Sequence, residues 1–544
     1  MKRFSLLYPA ILITCAALGI LSCKEKIPEI QSINPRIGTM GELLTIRGEH
    51  FGEQRDESFV SIAGIPPTSS SYIEWRDDLI RIRVPEFGES GLVRVHSGGR
   101  KSNALLFSNR ATMPTPVSGA ELSQGPRIDS LSSQSGQIGS PLTITGNGFG
   151  NSREQSGVYF SWDAEPALSS PVEERRSETV EVYDAEGGYE LWSDREIRVR
   201  VPDGAVSGNI EVRTPRGSSR PVFFDISGKP GTKTFRDKRS YTLKFGVDIQ
   251  VQNAAGQNTL YLWAPKPAAS AAQRNTELLS RSMEPFVENY RGTTLFKLND
   301  LRPNTTVGIN LIYKVDVYTQ ETTIRIPAIK QESGAPMESL FTRPSALIPS
   351  GDERIKTLAA TLTGRERNPF VKAQKIYEWL IMEGGIQNAG LTGGAIEALE
   401  GKRADPYMAS LLFCSLAQAA GIPAIPVSGV LVNRFQSASR HYWAEFWIDG
   451  FGWVPLDPAL GAGAAPGGFN LREDRREWYF GNLDNQRITF SRGLTNLSQM
   501  ETRGRVAVRD RSYALQNLWE EAAGGLESYS SLWGDITITG AYVQ

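Results

Sequence analysis

The stretch HYWAEFWIDGFGWVPLDPALG (441–461) decides the fold of the last large domain of this chain. A Gly-Phe-Gly turn divides it into two apolar runs, which is the pattern of two buried strands joined by a tight connection. His441 opens the first run, and Asp457 directly follows the second. We therefore expect the imidazole of His441 and the carboxylate of Asp457 to face each other across adjacent strands.

The same stretch resembles the motif of the transglutaminase-like superfamily. The shared features are a His followed by Trp and Glu at alternate positions, a Gly-aromatic-Gly-Trp turn, and Asp-Pro. GIPAIPVSGV (421–430) and YFGNLDNQRITFSRG (479–493) are similar to the strand entry and the C-terminal trailer of that family. The resemblance spans about residues 340–497 and implies an α+β papain-like domain.

The resemblance also implies roles for individual residues. His441 matches the catalytic histidine, and Asp457 matches the aspartate that orients it so that the imidazole can shuttle a proton. Trp443, Glu445 and Trp453 match scaffold positions of the cleft. An isolated histidine is usually an ordinary core residue, but the surrounding motif favours the triad interpretation for His441.

The nucleophile of this chemistry is missing from GKRADPYMASLLFCSLAQAAGIPA (401–424). In the family, a cysteine opens the helix that runs into Gly-Ile-Pro-Ala, and counting back sixteen residues from Gly421 lands on Asp405. The resemblance therefore implies the triad positions Asp405, His441 and Asp457, with an aspartate where relatives carry sulfur.

Cys414 cannot take over the role of the nucleophile. It follows Asp405 by nine residues, and at about 100° and ~1.5 Å per residue it lies half a turn out of phase and ~13 Å further along the helix. Its neighbours are apolar, which is typical of a buried and unreactive thiol.

Two physical accounts explain an aspartate at this position, and they are compatible. Asp405 followed by Pro406 is a favourable helix start, because Asp accepts the free N–H groups and Pro suits the first helical position. Alternatively, the carboxylate copies the negative charge of a thiolate beside an imidazolium, with the helix N-terminus stabilising the anion.

Two further interpretations of Asp405, His441 and Asp457 are less favoured. A carboxylate nucleophile supports hydrolysis of reactive esters or halides but attacks amides poorly. Two carboxylates and a histidine are permissible metal ligands, yet there is no second histidine nearby, and the motif already explains two of the three. We therefore expect neither a metal nor a cofactor.

An internal repeat organises the first third of the chain. INPRIGTMGELLTIRGEHFGEQ (33–54) aligns with LSSQSGQIGSPLTITGNGFGNS (131–152), and WRDDLIRIRVPEFGESGLVRV (75–95) aligns with WSDREIRVRVPDGAVSGNIEV (192–212). Both copies alternate apolar and polar residues, which is the pattern of strands with one buried face. They resemble immunoglobulin-like IPT/TIG domains, and this resemblance implies two β-sandwiches.

The expected fold class is multidomain, with N-terminal all-β immunoglobulin-like sandwiches followed by the α+β papain-like domain. NPFVKAQKIYEWLIME (368–383) predicts a helix of the latter, and SYALQNLWEEAA (512–523) and DITITGAYV (535–543) predict a late helix and strand. The segments in order are a signal peptide (1–22), a tether (23–30), a first IPT/TIG-like sandwich (31–109), a linker (110–124), a second sandwich (125–228), a third β-sandwich (229–332), the transglutaminase-like domain (333–500), and a C-terminal helix and strand of unknown role (501–544).

The N-terminus has the pattern of a bacterial lipoprotein signal. Basic MKRF precedes an apolar run (6–21), and small Ser22 directly precedes Cys23, the residue that would carry the lipid. A transmembrane anchor would need about 20 apolar residues. We expect a protein anchored in the cell envelope through Cys23, at the outer membrane or the outer face of the cytoplasmic membrane.

The net charge and the cysteine count limit which binding partners and cross-links the chain can have. The net charge of −1 and the lack of a basic stripe argue against a nucleic-acid partner. With Cys15 removed and Cys23 lipidated, Cys414 is the only thiol left, so no intrachain disulfide can form. The expected partners are the membrane, through the lipid, and a protein, peptide or glycan ligand.

Three functions fit the sequence. The favoured one is a catalytically silent pseudoenzyme whose cleft binds a peptide, protein or glycan, because the nucleophile is absent. The second is an active hydrolase, or a transglutaminase- or protease-like enzyme, that uses Asp405, His441 and Asp457. The third is a surface spacer or adhesin built of immunoglobulin-like modules.

Overall fold

A computed structural model describes residues 27–56, 58–63, 66–85, 90–110, 125–153, 156–164, 178–329 and 336–543. The predicted signal peptide, the lipid-bearing Cys23 and nearly all of the predicted linker lie outside these residues. The chain divides into two compact units, residues 1–120 and residues 121–544. None of the described helices is long and apolar enough to cross a bilayer.

The first unit is a β-sandwich. Its strands are β1 (Glu29–Asn34), β2 (Ile37–Gly38), β3 (Leu43–Glu49), β4 (Phe59–Ile62), β5 (Tyr72–Arg76), β6 (Leu79–Arg83), β7 (Gly91–Ser97), β8 (Arg100–Lys101) and β9 (Leu105–Asn109). They form one sheet in the order β1-β3-β6-β5 and another in the order β2-β9-β7-β4, with β8 beside β7. Alternate residues such as Leu44, Ile46, Val93 and Val95 fill the space between the sheets.

The second unit begins with a sandwich that has the topology of the first with one added strand. Its strands are β10 (Arg127–Leu131), β11 (Ser135–Gly136), β12 (Pro141–Asn147), β13 (Gly157–Trp162), β14 (Glu178–Glu181), β15 (Tyr189–Trp192), β16 (Glu196–Arg200), β17 (Gly208–Thr214), β18 (Gly217–Ser218) and β19 (Val222–Ile226). The sheet β10-β12-β16-β15 repeats the order seen in the first unit, and β11-β19-β17-β13-β14, in which β14 is the added strand, faces it. The two predicted sandwiches are confirmed.

A sheet with two very long strands follows the second sandwich. Its strands are β20 (Gly231–Pro265), β21 (Gln273–Arg281), β22 (Val287–Tyr290), β23 (Thr293–Asn299) and β24 (Thr305–Ile324), in the order β21-β24-β20-β23-β22, and β20 and β24 are the two very long ones. Strand β20 runs for 35 residues and pairs with β24 along its first part and with β23 along its last part. The alternating pattern predicted for this region is therefore present, on strands much longer than an average strand.

The helical part of the next domain consists of α1 (Pro336–Phe341), α2 (Glu353–Thr363), α3 (Pro369–Glu383), α4 (Ala395–Gly401), α5 (Pro406–Ala419), α6 (Pro458–Ala462) and α7 (Arg475–Trp478). Helix α3 coincides with the predicted helix at 368–383. Asn368 caps it, Pro369 opens it, and the buried face includes Ile376 and Leu380.

An antiparallel sheet contains the His441–Asp457 motif of residues 441–461. Its strands are β25 (Ala424–Val432), β26 (Ala438–Ile448), β27 (Gly452–Leu456) and β28 (Arg487–Arg492), in the order β27-β26-β25-β28. Every residue of β26 from His441 to Ile448 is buried, so both faces of the sheet are covered. Ala444 and Phe446 pack against α5, and the side chains between them point to the opposite face.

The C-terminal residues correct one prediction. Residues 512–523 do not form the predicted helix, because the chain there leads into β30 (Glu520–Trp533). In chain order β30 comes after β29 (Arg505–Ala507) and before β31 (Thr537–Val543). Strands β30 and β31 both pair with β20. Tyr513 and Trp519 are buried in the core of that sheet. The gain from non-local strand pairing and burial therefore outweighs a helical spacing of apolar residues.

Candidate functional site

His441 and Asp457 form a buried pair at the edge of the sheet. Trp443 lies opposite Val427 in β25, and β27 ends at Leu456, opposite Ala444. Asp457 follows immediately, which brings its carboxylate to the ring of His441. Nε2 of His441 lies 2.9 Å from Oδ2 of Asp457. Because an ionised carboxylate only accepts hydrogen bonds, Nε2 is the donor, and Nδ1 is the ring atom that could accept a proton.

The local backbone fixes the carboxylate of Asp457. It is the N-cap of α6 and accepts a hydrogen bond from the backbone N–H of Leu460 through Oδ1, at 3.0 Å. The side chains of His441 and Asp457 are 2% and 0% exposed, so neither reaches solvent. The expected pairing of the two residues is therefore present, and their assignment as triad positions stays a prediction.

Arg487 joins this pair, although its sequence position alone did not indicate a role in the site. It donates to Oδ2 of Asp457 at 3.1 Å and to Asp484 at 2.8 Å, and its guanidinium lies 4.9 Å from the ring centre of Trp443. Burial acts to raise the pKa of Asp457, but the charge and hydrogen bond of His441, together with Arg487, hold that pKa below its ordinary value of 3.8. The signal for Arg487 was its place in the trailer motif at 479–493.

Asp405 begins α5, as its sequence predicted. Its Oδ1 accepts a hydrogen bond from the backbone N–H of Met408 at 2.9 Å, and its Oδ2 accepts one from Leu391 at 3.2 Å. Oδ2 also forms an ion pair with Arg511, which lies 106 residues further along the chain. Only 4% of Asp405 is exposed. The carboxylate is therefore held by three donors, and one of them is cationic.

Asp405 and His441 lie in adjoining parts of the domain without a direct bond. The ring of Tyr407, two residues after Asp405, meets the ring of Tyr442 edge-on with centres 5.0 Å apart. Within the part of the chain that the structure describes, no hydrogen bond and no ion pair within 4.0 Å joins Asp405 to His441. The cation beside the Asp405 carboxylate is thus a guanidinium, Arg511, and not the imidazole.

Cys414 lies in the middle of α5, inside the core that the helix shares with the sheet. It is fully buried, and burial, with a smaller contribution from Glu445, raises the pKa of its thiol well above the ordinary value. A thiol in that environment is not ionised at neutral pH. The structure therefore agrees with the sequence argument against Cys414 as a nucleophile.

The three predicted scaffold residues lie on the face of the sheet opposite α5. Glu445 accepts two hydrogen bonds from Arg492, which also pairs with Glu186 of the second sandwich. Trp453 packs edge-on against Phe341 at 5.1 Å. Glu445 is therefore connected to the second sandwich through Arg492, and Trp453 belongs to the hydrophobic core that the sheet shares with that sandwich.

A small internal cavity lies on the same face. Its lining includes Trp443, Glu445, Trp453 and Arg487, and its volume is about 30 Å³, which is room for about two water molecules. Among the residues that the structure describes, neither indole N–H of these tryptophans has a protein partner, and water would satisfy both. Among the described residues, no group of three or more His, Cys, Asp or Glu side chains is arranged to hold a metal ion.

Comparison with known families agrees with this architecture. Residues 356–458 match the model of the transglutaminase-like superfamily, and residues 28–109 and 126–226 each match that of the IPT/TIG domain. The protein therefore carries two IPT/TIG domains followed by a transglutaminase-like domain. N-terminal all-β sandwiches and a later domain with both helices and strands are what the sequence predicted.

Individual relatives are distant. An uncharacterized protein of Haemophilus influenzae is 31% identical over 137 residues, which cover 20% of this chain and 36% of the relative, so the chain spans about a third of that relative. A proposed cysteine protease from Cytophaga hutchinsonii is 15% identical with a TM-score of 0.34, covering 57% of this chain and 92% of its own. SGBP-B from a xyloglucan utilization locus of Bacteroides uniformis is 11% identical with a TM-score of 0.14, covering 54% of this chain and 99% of its own.

Proposed function

We propose that this protein is a lipid-anchored envelope protein whose transglutaminase-like domain is catalytically silent and binds a peptide, protein or glycan ligand. One observation carries the proposal. The carboxylate of Asp405, which we place at the nucleophile position from the sequence resemblance, is engaged by two backbone N–H groups and by Arg511.

The chemistry of attack explains why this arrangement is silent. A nucleophile needs an available electron pair, and a thiol or hydroxyl nucleophile also needs a base that removes its proton. Both oxygens of Asp405 accept hydrogen bonds, and an ion pair with Arg511 lowers the reactivity of the anion further. A carboxylate attacks amides poorly even when it is free, so peptide and glutamine chemistry is not expected.

The anchoring part of the proposal comes from the N-terminal sequence alone. A basic start, an apolar run and Ser22-Cys23 are typical of a lipoprotein signal. Labelling of cells with an alkyne fatty acid should tag the wild-type protein, and Cys23→Ser should abolish the tag and release the protein from membranes. A Cys23→Ser protein that stays membrane-bound with unchanged labelling would contradict the anchor.

Activity assays test the silent cleft. The mature protein is incubated with casein and an amine donor, with peptides, and with cell-wall fragments, and release or cross-linking is followed. We expect no turnover above that of His441→Ala, since that variant lacks the only imidazole of the site. Turnover that His441→Ala abolishes would overturn the proposal.

The intact His441–Asp457 pair favours a second candidate, a hydrolase acting on activated substrates. The pair keeps a 2.9 Å hydrogen bond, which is the contact by which an aspartate orients a catalytic imidazole. A panel of activated esters is the appropriate probe. If Asp405→Asn and His441→Ala hydrolyse these esters as fast as the wild type does, the activity does not come from this site, and the second candidate is excluded.

A further inference from the structure

Arg511 sits in a pocket made of three parts of the transglutaminase-like domain. Its Nη1 forms an ion pair with the carboxylate of Asp405, and its Nη2 donates to the carbonyl oxygen of Gly393 at 2.7 Å. Its guanidinium carbon lies 4.5 Å from the centre of the Tyr407 ring. A carboxylate, a carbonyl and an aromatic face thus surround one guanidinium.

These three groups together are selective for a guanidinium. The carboxylate supplies a charge-assisted hydrogen bond, the carbonyl accepts a second N–H, and the tyrosine ring attracts a flat cation. An ammonium would satisfy the charge but would neither stack on Tyr407 nor reach both oxygens with a rigid fork. The set of contacts is that of a recognition site.

The walls of the pocket are held without any help from Arg511. The backbone N–H groups of Met408 and Leu391 fix the carboxylate of Asp405, and Tyr442 packs edge-on against Tyr407. The carboxylate of Glu397 accepts a hydrogen bond from Gly394 at 2.7 Å, next to the Gly393 carbonyl. A pocket fixed in this way stays in shape when its occupant leaves, which lowers the cost of binding another one.

The attachment of Arg511 allows it to leave. Its side chain is 25% exposed, so it enters the pocket from the solvent side. The core anchor of this segment is the next residue but one, Tyr513, which is buried. The carbonyl of Ser512 accepts a hydrogen bond from Tyr442 at 2.8 Å. The main chain is therefore fixed next to the pocket, while the long arginine side chain can swing out without disturbing the core.

We propose that this pocket is the recognition site for an arginine side chain of a peptide ligand, and that Arg511 is an internal occupant which the ligand displaces. The inference rests on the proposed function, because a carboxylate at position 405 attracts the cation where a thiol would not. A tethered group acts at an effective concentration in the mM range, so the ligand must supply further contacts or a high local concentration to replace Arg511.

Calorimetric titration with N-acetyl-L-arginine amide tests the site. Arg511→Ala empties the pocket and should bind this probe at least tenfold more tightly than the wild type does. N-acetyl-L-citrulline amide has the same shape without the charge, and it should bind Arg511→Ala at least tenfold more weakly than the arginine probe. Arg511→Gln, which keeps a polar side chain, is titrated in parallel and should also gain affinity.

Two controls make the result specific. Arg440→Ala removes another arginine from an exposed ion pair, that with Asp535, and should leave probe binding at the wild-type level. The double variant Asp405→Asn, Arg511→Ala lacks the carboxylate and should lose the gained affinity. The proposal is overturned if neither Arg511 variant gains affinity, or if citrulline binds as well as arginine, because the pair is then a purely structural one.

The titration tests the arginine site and the activity assays test the silent cleft, so either proposal can be refuted without the other. Probe binding is read without turnover, so a negative titration refutes the arginine site and leaves the silent cleft standing. Turnover that depends on His441 refutes the silent cleft, whatever Arg511→Ala binds.

Discussion

The transglutaminase-like domain contains two charged clusters that differ in burial and in origin. The first consists of His441, Asp457 and Arg487, all within the motif or its trailer and all inaccessible to solvent. The second consists of Asp405 and Arg511, in which the arginine is partly exposed and comes from the C-terminal segment. The first cluster contains the histidine and the aspartate to which the sequence resemblance assigns triad roles, and the second contains the residue that the same resemblance aligns with the nucleophile.

Burial makes the two clusters unequal in energy. Removing one partner of a buried pair leaves a charge without compensation in a medium of low polarity, which is strongly destabilising. Arg511 is 25% exposed, so water can take its place beside the buried carboxylate of Asp405 when it is removed. We therefore expect substitutions in the first cluster to destabilise the fold strongly and substitutions in the second cluster to destabilise it little.

The largest change in the free energy of unfolding is expected for Arg487→Met. It leaves the carboxylates of Asp457 and Asp484 buried without their cation, and we expect a loss of about 3–5 kcal/mol in the free energy of unfolding. Arg472→Met is a matched control, because Arg472 also pairs with an aspartate and lies over a tryptophan ring, but at the exposed surface. Its loss should be about 0–1 kcal/mol. Equal shifts of the urea midpoint in the two variants would contradict the comparison.

The contribution of Asp457 to stability should depend on pH, and this dependence tests the role of burial in the first cluster. Its pKa is lowered in the folded protein relative to the ordinary 3.8, so its charge stabilises the fold above 3.8, and this stabilisation is lost as pH falls through the folded pKa. The gap in stability between wild type and Asp457→Asn should therefore be largest near neutral pH and shrink below pH 3.8. Urea midpoints at a series of pH values measure the gap, and a constant gap would exclude this mechanism.

The sequence was sufficient for the parts of the fold that repeat or carry a motif. The paired stretches at 33–54 and 131–152 predicted two sandwiches because each copy alternates buried and exposed residues over a few positions. The spacing between His441 and Asp457 predicted their contact because a short hairpin fixes the register of its two strands. The helix start at Asp405 followed from local capping chemistry.

Contacts between residues that are far apart in the chain could not be predicted from the sequence. Arg511 meets Asp405 across 106 residues, and Arg492 meets Glu186 across 306. The predicted helix at 512–523 failed for the same reason, since β30 gains its hydrogen bonds from β20, far earlier in the chain. A single sequence contains no signal for which arginine neutralises which carboxylate, and this choice determines the character of the candidate site.

Asp405→Cys places a thiol where the sequence resemblance predicts the family nucleophile, and it probes the electrostatic field of the second cluster, that of Asp405 and Arg511. The introduced thiol would lie at the N-terminus of α5 beside Arg511, and both features favour the thiolate. We expect alkylation by iodoacetamide with a pH midpoint below the ordinary ~8.5 of a free cysteine, while Cys414 of the wild type stays unlabelled. Adding Arg511→Ala should raise that midpoint. An unchanged midpoint in the double variant would mean that Arg511 does not influence position 405.

The smallest effect is expected from separating Asp405 and Arg511. Asn is as good a helix cap as Asp, so Asp405→Asn keeps the cap to Met408, but it loses the ion pair with Arg511 and the hydrogen bond from Leu391. Arg511→Ala loses the ion pair from the other side, and the Leu391 contribution cancels in the cycle because it is lost in both Arg511 backgrounds. A double-mutant cycle on urea unfolding should give a coupling of about 1 kcal/mol or less. A weak coupling is what a displaceable occupant requires, because a ligand must compete with Arg511 for the carboxylate. A coupling of about 3 kcal/mol or more, the magnitude for a buried pair, would mean that Arg511 is locked in place and that no peptide arginine could displace it.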